Sequence, residues 1–385
     1  MRGVGIVDVK LRMKVCTIVG NRPQFMKEVV VAQELKAQGI EEVLIHTGQH
    51  YDTDMSDVFF KDLPLPIPKF HFSLHHKTQN TVTGEILIRL DEVLSKEKPD
   101  FVIVYGDTNS TLAGALAAVK LHIPVVHVEA GCRLASRHRV TEVPSEEINR
   151  TLVSHMTTLH CCCTQNEIEN LKKEGIVQNV YLTGDTMLDA FQQFSLFASQ
   201  KSTVLTDHHL SPEHYVLMTF HRAENIDSEE GCRNLIRLIE SIGMPIVFPI
   251  HPRTEKSFRK HHLLDDLKKT GILLLPPLSY LDTLALVNNC CFVVTDSGGL
   301  QREAFFANKY SYFFYFDDCW PQIAECGWQT RCNLSDATFV FSKTWSSVIS
   351  ENPFGDGHAA QKIVSLLKRT FASNKTPVSN VSQSG

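Results

Sequence analysis

The chain has 385 residues, 43% of them hydrophobic and 21% charged, and its 38 Lys and Arg against 43 Asp and Glu leave a formal net charge of −5. That balance lacks the basic surface of a nucleic-acid binder, and no run approaches the ~20 apolar residues of a membrane span. The length exceeds what one core usually serves, so two domains are expected.

The opening stretch MRGVGIVDVKLRMKV has no apolar core long enough for a secretory leader. Residues 1–12 are read as a short extension and the protein as cytoplasmic. The 11 cysteines fall mostly inside apolar runs, an odd count that fits reduced structural thiols. Cys161-Cys162-Cys163 after His160 invites a metal reading, but lacks CxxC spacing and a second ligand pair. No metal and no cofactor are expected.

KVCTIVG (14–20) predicts a strand ending in glycine, followed by a helix over 24–38. EVLIHT (42–47), a helix over 85–96, FVIVY (101–105), a helix over 110–120 and PVVHV (124–128) continue the alternation. Short continuous Val- and Ile-rich runs separated by helices are the pattern of a parallel sheet covered on both faces. It restarts with YVLMTF (215–220), a helix over 229–242, PIVFPI (245–250), ILLL (272–275), a helix over 280–288, FVVT (292–295) and a helix over 300–307. The fold class is therefore α/β, with two Rossmann-like doubly wound domains and a cleft between them. The boundary is placed near residue 190, giving domains 13–190 and 191–372. A helix over 359–369 ends the fold, and 373–385 is read as a disordered tail.

Doubly wound sheets bind ligands beyond the C-terminal ends of their strands, so the residues just after each strand carry the functional reading. In the first half these are Asn21-Arg22-Pro23 with Lys27 one turn on, Gly48-Gln49-His50, Gly106-Asp107-Thr108, Glu129-Ala130-Gly131, and beyond a loop Glu146-Glu147. An arginine and a lysine near a helix start suit an anion, although solvated cations would look the same. An Asp beside hydroxyl residues could equally cap the next helix. Converging on one sheet edge, Asp107, Glu129 and the Glu146/Glu147 pair would form an acid/base set. The second half offers His221-Arg222, His251-Pro252-Arg253 and Ser297-Gly298-Gly299 opening a helix, with Glu303 one turn further in. Backbone N–H groups at that opening suit a diphosphate, and Glu303 suits ribose hydroxyls.

Taken together the motifs resemble the non-hydrolysing UDP-N-acetylglucosamine 2-epimerases. The matching segments are GNRPQxxK (20–27), TGQHYD (47–52), GDTNST (106–111), HVEAG (127–131), EEINR (146–150), HRAEN (221–225), HPRT (251–254), PLSYLD (277–282) and DSGGLQREA (296–304). The resemblance implies a glycosyltransferase-B fold, a homodimer, and interconversion of UDP-GlcNAc and UDP-ManNAc, which supplies ManNAc units for cell-surface polysaccharide. UDP would be eliminated to a 2-acetamidoglucal and re-added after protonation of C2 on the opposite face. Carried over position by position, Asp107, Glu129 and Glu146 would be acid/base residues and His221 with Arg22 would stabilise the departing diphosphate. Lys27 would bind substrate, Ser297, Gly298 and Gly299 would hold the diphosphate, and Glu303 the ribose. Gln49, His50, Gln79 and His251 would correspond to a second, regulatory UDP-GlcNAc site.

The sequence departs from the family pattern in several places. Gln24 stands where an acidic residue is usual, Ser145 is inserted before Glu146, Thr78 replaces an arginine, and FDDCWPQ (316–322) replaces a segment resembling R-D-x-T-E-x-P-E. The competing readings are a hydrolysing epimerase that releases ManNAc and UDP, which the EEINR motif argues against, and a related nucleotide-sugar protein without turnover.

Overall fold

The computed structural model describes residues 12–49, 67–74, 78–134, 143–315, 318–336, 341 and 352–375. Thirteen strands form two sheets in which every recorded pairing is parallel. The first holds β1 (Lys14–Val19), β2 (Glu41–His46), β3 (Phe70–His71), β4 (Phe101–Tyr105), β5 (Val125–Val128), β6 (Leu159–Cys162) and β7 (Val180–Leu182), in the order β3-β2-β1-β4-β5-β6-β7. The second holds β8 (Val216–Thr219), β9 (Ile246–Pro249), β10 (Leu273–Leu275), β11 (Phe292–Thr295), β12 (Ser311–Phe313) and β13 (Gln329–Arg331), in the order β10-β9-β8-β11-β12-β13.

In both sheets the chain starts in the middle, winds outward to one edge, then returns to build the other side. That reversal leaves a switch point between β1 and β4 in the first sheet and between β8 and β11 in the second. At a switch point the two following loops diverge to opposite faces of the sheet and leave a crevice. The four loops concerned carry Gly20-Asn21-Arg22, Gly106-Asp107, Phe220-His221 and Asp296-Ser297.

Central strands are apolar throughout because helices cover both faces: all five residues of β4 and all four of β11 are buried. The cysteine run belongs to this pattern. His160, Cys161 and Cys162 are strand residues of β6, burial pushes the Cys161 thiol up to about 12, and the His160 ring sits 2.8 Å from the Ser154 carbonyl.

The helix Arg22–Ala37 starts where the Asn21 side chain accepts the Gln24 N–H and Pro23 fits the first turn. Residues 24–32 are all buried, Gln24, Lys27 and Glu28 included. One side faces its own sheet. The other packs against the helix Thr186–Lys201 and against the helix Ala359–Lys375, whose Ile363, Val364 and Leu367 share a core with Val29 and Leu35. The last helix thus crosses back onto the first half of the fold, and Lys368 reaches Gln38. It runs to Lys375; residues 1–11 and 376–385 lie outside the described set. Among the described residues, no helix is long and apolar enough to cross a membrane.

Candidate active site

The loops after β1, β4 and β5 and the helix Ser145–Met156 form one wall of a cavity of about 360 Å³, and the loops after β8 and β11 form the opposite wall. Lys27, Asp107, Glu129 and Glu146 line the first wall; His221, Ser297, Gly298 and Gly299 line the second. An adjoining lobe of about 440 Å³ shares Asn21, Pro23, His221, Ser297 and Gly299, and adds Arg22, His251, Glu303 and an apolar lining that includes Leu217, Ile250 and Leu278. Every described residue expected at the substrate site therefore lies on this double cavity.

Asp107 follows Gly106, whose φ of +60° turns the chain sharply off β4. Its carboxylate is gripped by Arg150, and its carbonyl accepts from Asn149 Nδ2 at 2.9 Å. The EEINR motif is thereby divided into two jobs. Glu147 accepts from Arg150 Nη1 at 3.0 Å and from the Leu134 N–H at 3.2 Å, so it braces the arginine that braces Asp107. Glu146 lies one position earlier on the helix and faces the cavity. Burial lowers the Arg150 guanidinium, but Asp107 and the other nearby anionic groups outweigh this and hold it well above its usual value.

Glu129 ends β5 in the left-handed backbone region, at φ +67°. Non-glycine residues pay about 1–3 kcal/mol there, which tertiary contacts must offset. Its Oε2 atom pairs with Lys27 Nζ at 2.5 Å and with Arg302 Nη1 at 2.8 Å. Burial by itself would raise this carboxyl, but the two cations outweigh it and hold it at about 2. Arg302 Nη1 also donates to Asp185 Oδ2 at 2.8 Å, and its guanidinium stacks 4.2 Å from the Trp320 ring centroid. Glu129, Cys163 and Asp185 approach closely enough to suggest a cation site. Arg302 already bridges the two carboxylates, and burial holds Cys163 as a thiol.

His221 is held from behind by Asp296. The buried carboxylate accepts from the His221 and Arg222 backbone N–H groups at 3.0 and 2.9 Å and from Asn225 Nδ2 at 3.0 Å, and lies 3.0 Å from His221 Nδ1. Burial alone would raise Asp296; His221 and the other donors reverse this and lower it. With Nδ1 engaged, Nε2 is the ring atom left for a ligand. The Arg222 guanidinium stacks on Tyr315 at 3.6 Å and donates to the Asp296 carbonyl at 2.7 Å.

Ser297 caps the helix Gly298–Phe306, its Oγ accepting from the Leu300 N–H at 3.3 Å. A Cβ built on Gly298 or Gly299 would meet no protein atom closer than 3.8 Å. Packing does not demand these glycines; a side chain would instead project into the cavity, over the helix N–H groups. In the second lobe Glu303 is buried and pushed up to about 7, the charges of Arg22 and Arg302 partly opposing that rise. Burial lowers the Arg22 guanidinium, which donates to the Leu278 carbonyl at 3.2 Å.

The residues expected at a regulatory site have these neighbours. Gln49 Oε1 accepts from the Ser110 N–H at 2.9 Å and Gln79 pairs with Asn109, so both gather at the start of the helix Asn109–Lys120. His251 belongs to the second half, where its ring lies 5.4 Å from that of His221. His50 lies outside the described residues, as do Phe316 and Asp317 of the altered FDDCWPQ segment. Sequence reasoning passed over Asp296, Arg302, Arg150 and Asp185. The first two stand inside the quoted DSGGLQREA stretch and Arg150 inside EEINR, so asking what holds each candidate in place would have reached them.

Two doubly wound sheets with their switch points facing across one cleft define a two-domain α/β enzyme of glycosyltransferase-B type. The family profile described as UDP-N-acetylglucosamine 2-epimerase matches residues 33–368. The chain is 38% identical over 361 residues to a UDP-N-acetylglucosamine 2-epimerase homolog of Methanococcus maripaludis, covering 92% of this chain and 99% of that one. It is 36% identical to the UDP-2,3-diacetamido-2,3-dideoxy-D-glucuronate 2-epimerase of Pseudomonas aeruginosa, covering 93% of this chain and all of that one. Among solved structures, the Methanocaldococcus jannaschii UDP-GlcNAc 2-epimerase in complex with UDP-GlcNAc and UDP superposes with a TM-score of 0.82 at 35% identity, covering 93% of this chain and 100% of that one. The chain belongs to the UDP-N-acetylglucosamine 2-epimerase family, a family of isomerases.

Proposed function

We propose that the protein is a non-hydrolysing UDP-GlcNAc 2-epimerase, with acid/base carboxylates supplied by residues 13–190 and the UDP site by residues 191–372. The observation that carries this reading is the two-walled cavity. Asp107, Glu129 and Glu146 face a helix start of Ser297, Gly298 and Gly299, with His221 beside it. Elimination of UDP needs a base at C2 and donors for the oxygen that leaves C1; re-addition needs a second proton-transfer group that delivers a proton to the opposite face of C2. Several carboxylates opposite a glycine-lined anion cradle meet both needs.

In this reading UDP lies in the lobe with Arg22 and Glu303, its uracil against Leu217, Ile250 and Leu278, and its diphosphate on the Gly298–Gly299 N–H groups. His221 and Arg22 neutralise the charge that builds as the C1–O bond breaks. The hexose projects between Asp107, Glu129 and Glu146. A regulatory UDP-GlcNAc would draw on Gln49 and Gln79 at one helix start and on His251 beside His221.

Proton NMR of UDP-GlcNAc incubated with the protein in D2O tests the proposal. The expected result is UDP-ManNAc with deuterium at C2. Free ManNAc and UDP would establish the hydrolysing reaction instead, and absence of turnover despite calorimetric UDP binding would leave a binding protein. The Pseudomonas aeruginosa relative makes its diacetamido-glucuronate substrate the comparison compound; preferential turnover of it would change the sugar, not the reaction class.

A further inference from the structure

We infer that Arg302 is a positioning residue for Glu129: reaching across the cleft from the second half, it fixes the carboxylate's direction and ties its charge to the binding of the diphosphate. The inference rests on the proposed acid/base role of Glu129.

Arg302 is held on three sides. Its Nη1 donates to Glu129 Oε2 and to Asp185 Oδ2, both at 2.8 Å, its Nε donates to the Gly298 carbonyl at 3.3 Å, and its face lies on Trp320. Its side chain is only 5% exposed. A planar fork locked in this way offers a single direction of approach, which a lysine's point charge could not reproduce. The partners come from separate parts of the fold: Glu129 from the end of β5, Asp185 from the N-cap of the helix Thr186–Lys201, Arg302 from the helix Gly298–Phe306. Asp185 uses its other oxygen to accept the Met187 N–H at 2.8 Å, so it cannot swing away without uncapping its helix.

The charges balance. Two buried cations, Lys27 and Arg302, meet the partly buried carboxylate of Glu129 and the buried one of Asp185. The other titratable groups facing Glu129 are Cys163 just after β6, Glu167 from the helix Gln165–Lys173, and His127 on its own strand. Burial holds His127 neutral at ordinary pH, near a value of about 3, and Glu167 adds repulsion, so neither can replace a lost cation. Without Arg302, Lys27 alone would face both carboxylates, and the left-handed backbone at Glu129 would lose one of its two side-chain anchors.

Arg302 also lies one helical turn after Gly298, on the helix whose first N–H groups form the anion cradle. A rigid turn therefore connects the place where the diphosphate docks to the carboxylate that would act on the sugar.

The test is the pH dependence of kcat in wild type, R302Q, R302K and D185N, over about pH 4 to about pH 9. Wild type is expected to show no acid limb from Glu129 in this range. R302Q should lose ~10-fold or more in kcat near neutrality and bring an acid limb into the range, raised by about two to three pH units on losing a cation. R302K should restore part of the rate and shift the limb less. D185N, which leaves Arg302 to Glu129 alone, should not raise the limb. An equal fall in kcat at every pH for both R302Q and R302K would overturn the inference. So would a rise in KM alone. If R302Q fails to fold, as judged by circular dichroism, R302K and D185N still decide by the direction in which the limb moves. E129Q separates the two layers of the argument. Near-wild-type turnover in E129Q removes Glu129 from the chemistry, whereas an inactive E129Q with unmoved limbs in the Arg302 variants refutes the positioning role only.

Discussion

Glu129 occupies a backbone region that residues with a side chain rarely adopt, and two cations close on the same carboxylate oxygen. Strain of this sort persists where the surroundings over-determine a conformation. Asp107 and His221 are each held from behind in the same manner, by Arg150 and by Asp296. We expect D107N, E129Q and H221A each to reduce turnover by ~10²-fold or more, the scale of a lost acid/base or charge-stabilising group, measured as kcat on UDP-GlcNAc. E147Q should instead lower the melting temperature, because Glu147 braces Arg150. A second expectation concerns pH. Glu28 is fully buried against Glu42, and burial followed by the neighbouring carboxylate pushes Glu28 well above its usual range. A folded value above the unfolded one means stability that is complete below the unfolded value and lost as pH rises through the folded value. E28Q should therefore melt higher than wild type at neutral and alkaline pH, with the gain vanishing in acid. Asp107, Glu129, His221 and Ser297 were legible because each stands just after an apolar run. Their supports were not, because the hydrogen bond from the His221 N–H to the Asp296 carboxylate joins positions 75 apart in the chain.

At the scale of elements, the proposed function assigns binding to the helix Gly298–Phe306 and chemistry to the helix Ser145–Met156, each through its first turn. In G298A or G299A the added methyl projects into the cavity while the helix gains up to about 1 kcal/mol of intrinsic propensity. Both variants should thus melt at or above the wild-type temperature yet bind UDP more weakly, as measured by calorimetry. Unchanged UDP affinity would move the diphosphate elsewhere. Element type was readable wherever burial followed a simple period, as in the predicted strands 101–105 and 292–295, found at Phe101–Tyr105 and Phe292–Thr295. It was obscured where packing departs from period. The helix Arg22–Ala37 is buried on nearly all sides of its first half. The strand Leu159–Cys162 hid in a cysteine run that invited thoughts of metal. The strands Val180–Leu182 and Gln329–Arg331 sit at sheet edges and are three residues long, too short to show a period.

For the molecule as a whole, the repeated βα alternation made a pair of similar sheets readable from sequence. The closing connection was not. Nothing in AAQKIVSLLKR announces that its apolar face belongs to a helix more than 300 residues earlier. A chain cut before Ala359 should leave Val29 and Leu35 partly uncovered, lowering the melting temperature of the first sheet's half and increasing its binding of a hydrophobic dye. The same crossing has a consequence for biosynthesis. A protein emerging from the ribosome from its N-terminus usually folds its leading portion first. Here the first helix stays partly uncovered until the segment Ala359–Lys375 has been translated, so part of an early-made surface is finished late. Emergence of the segment Ala359–Lys375, rather than of the first half, sets the moment at which the far end of that helix, around Leu35 and Gln38, gains its cover.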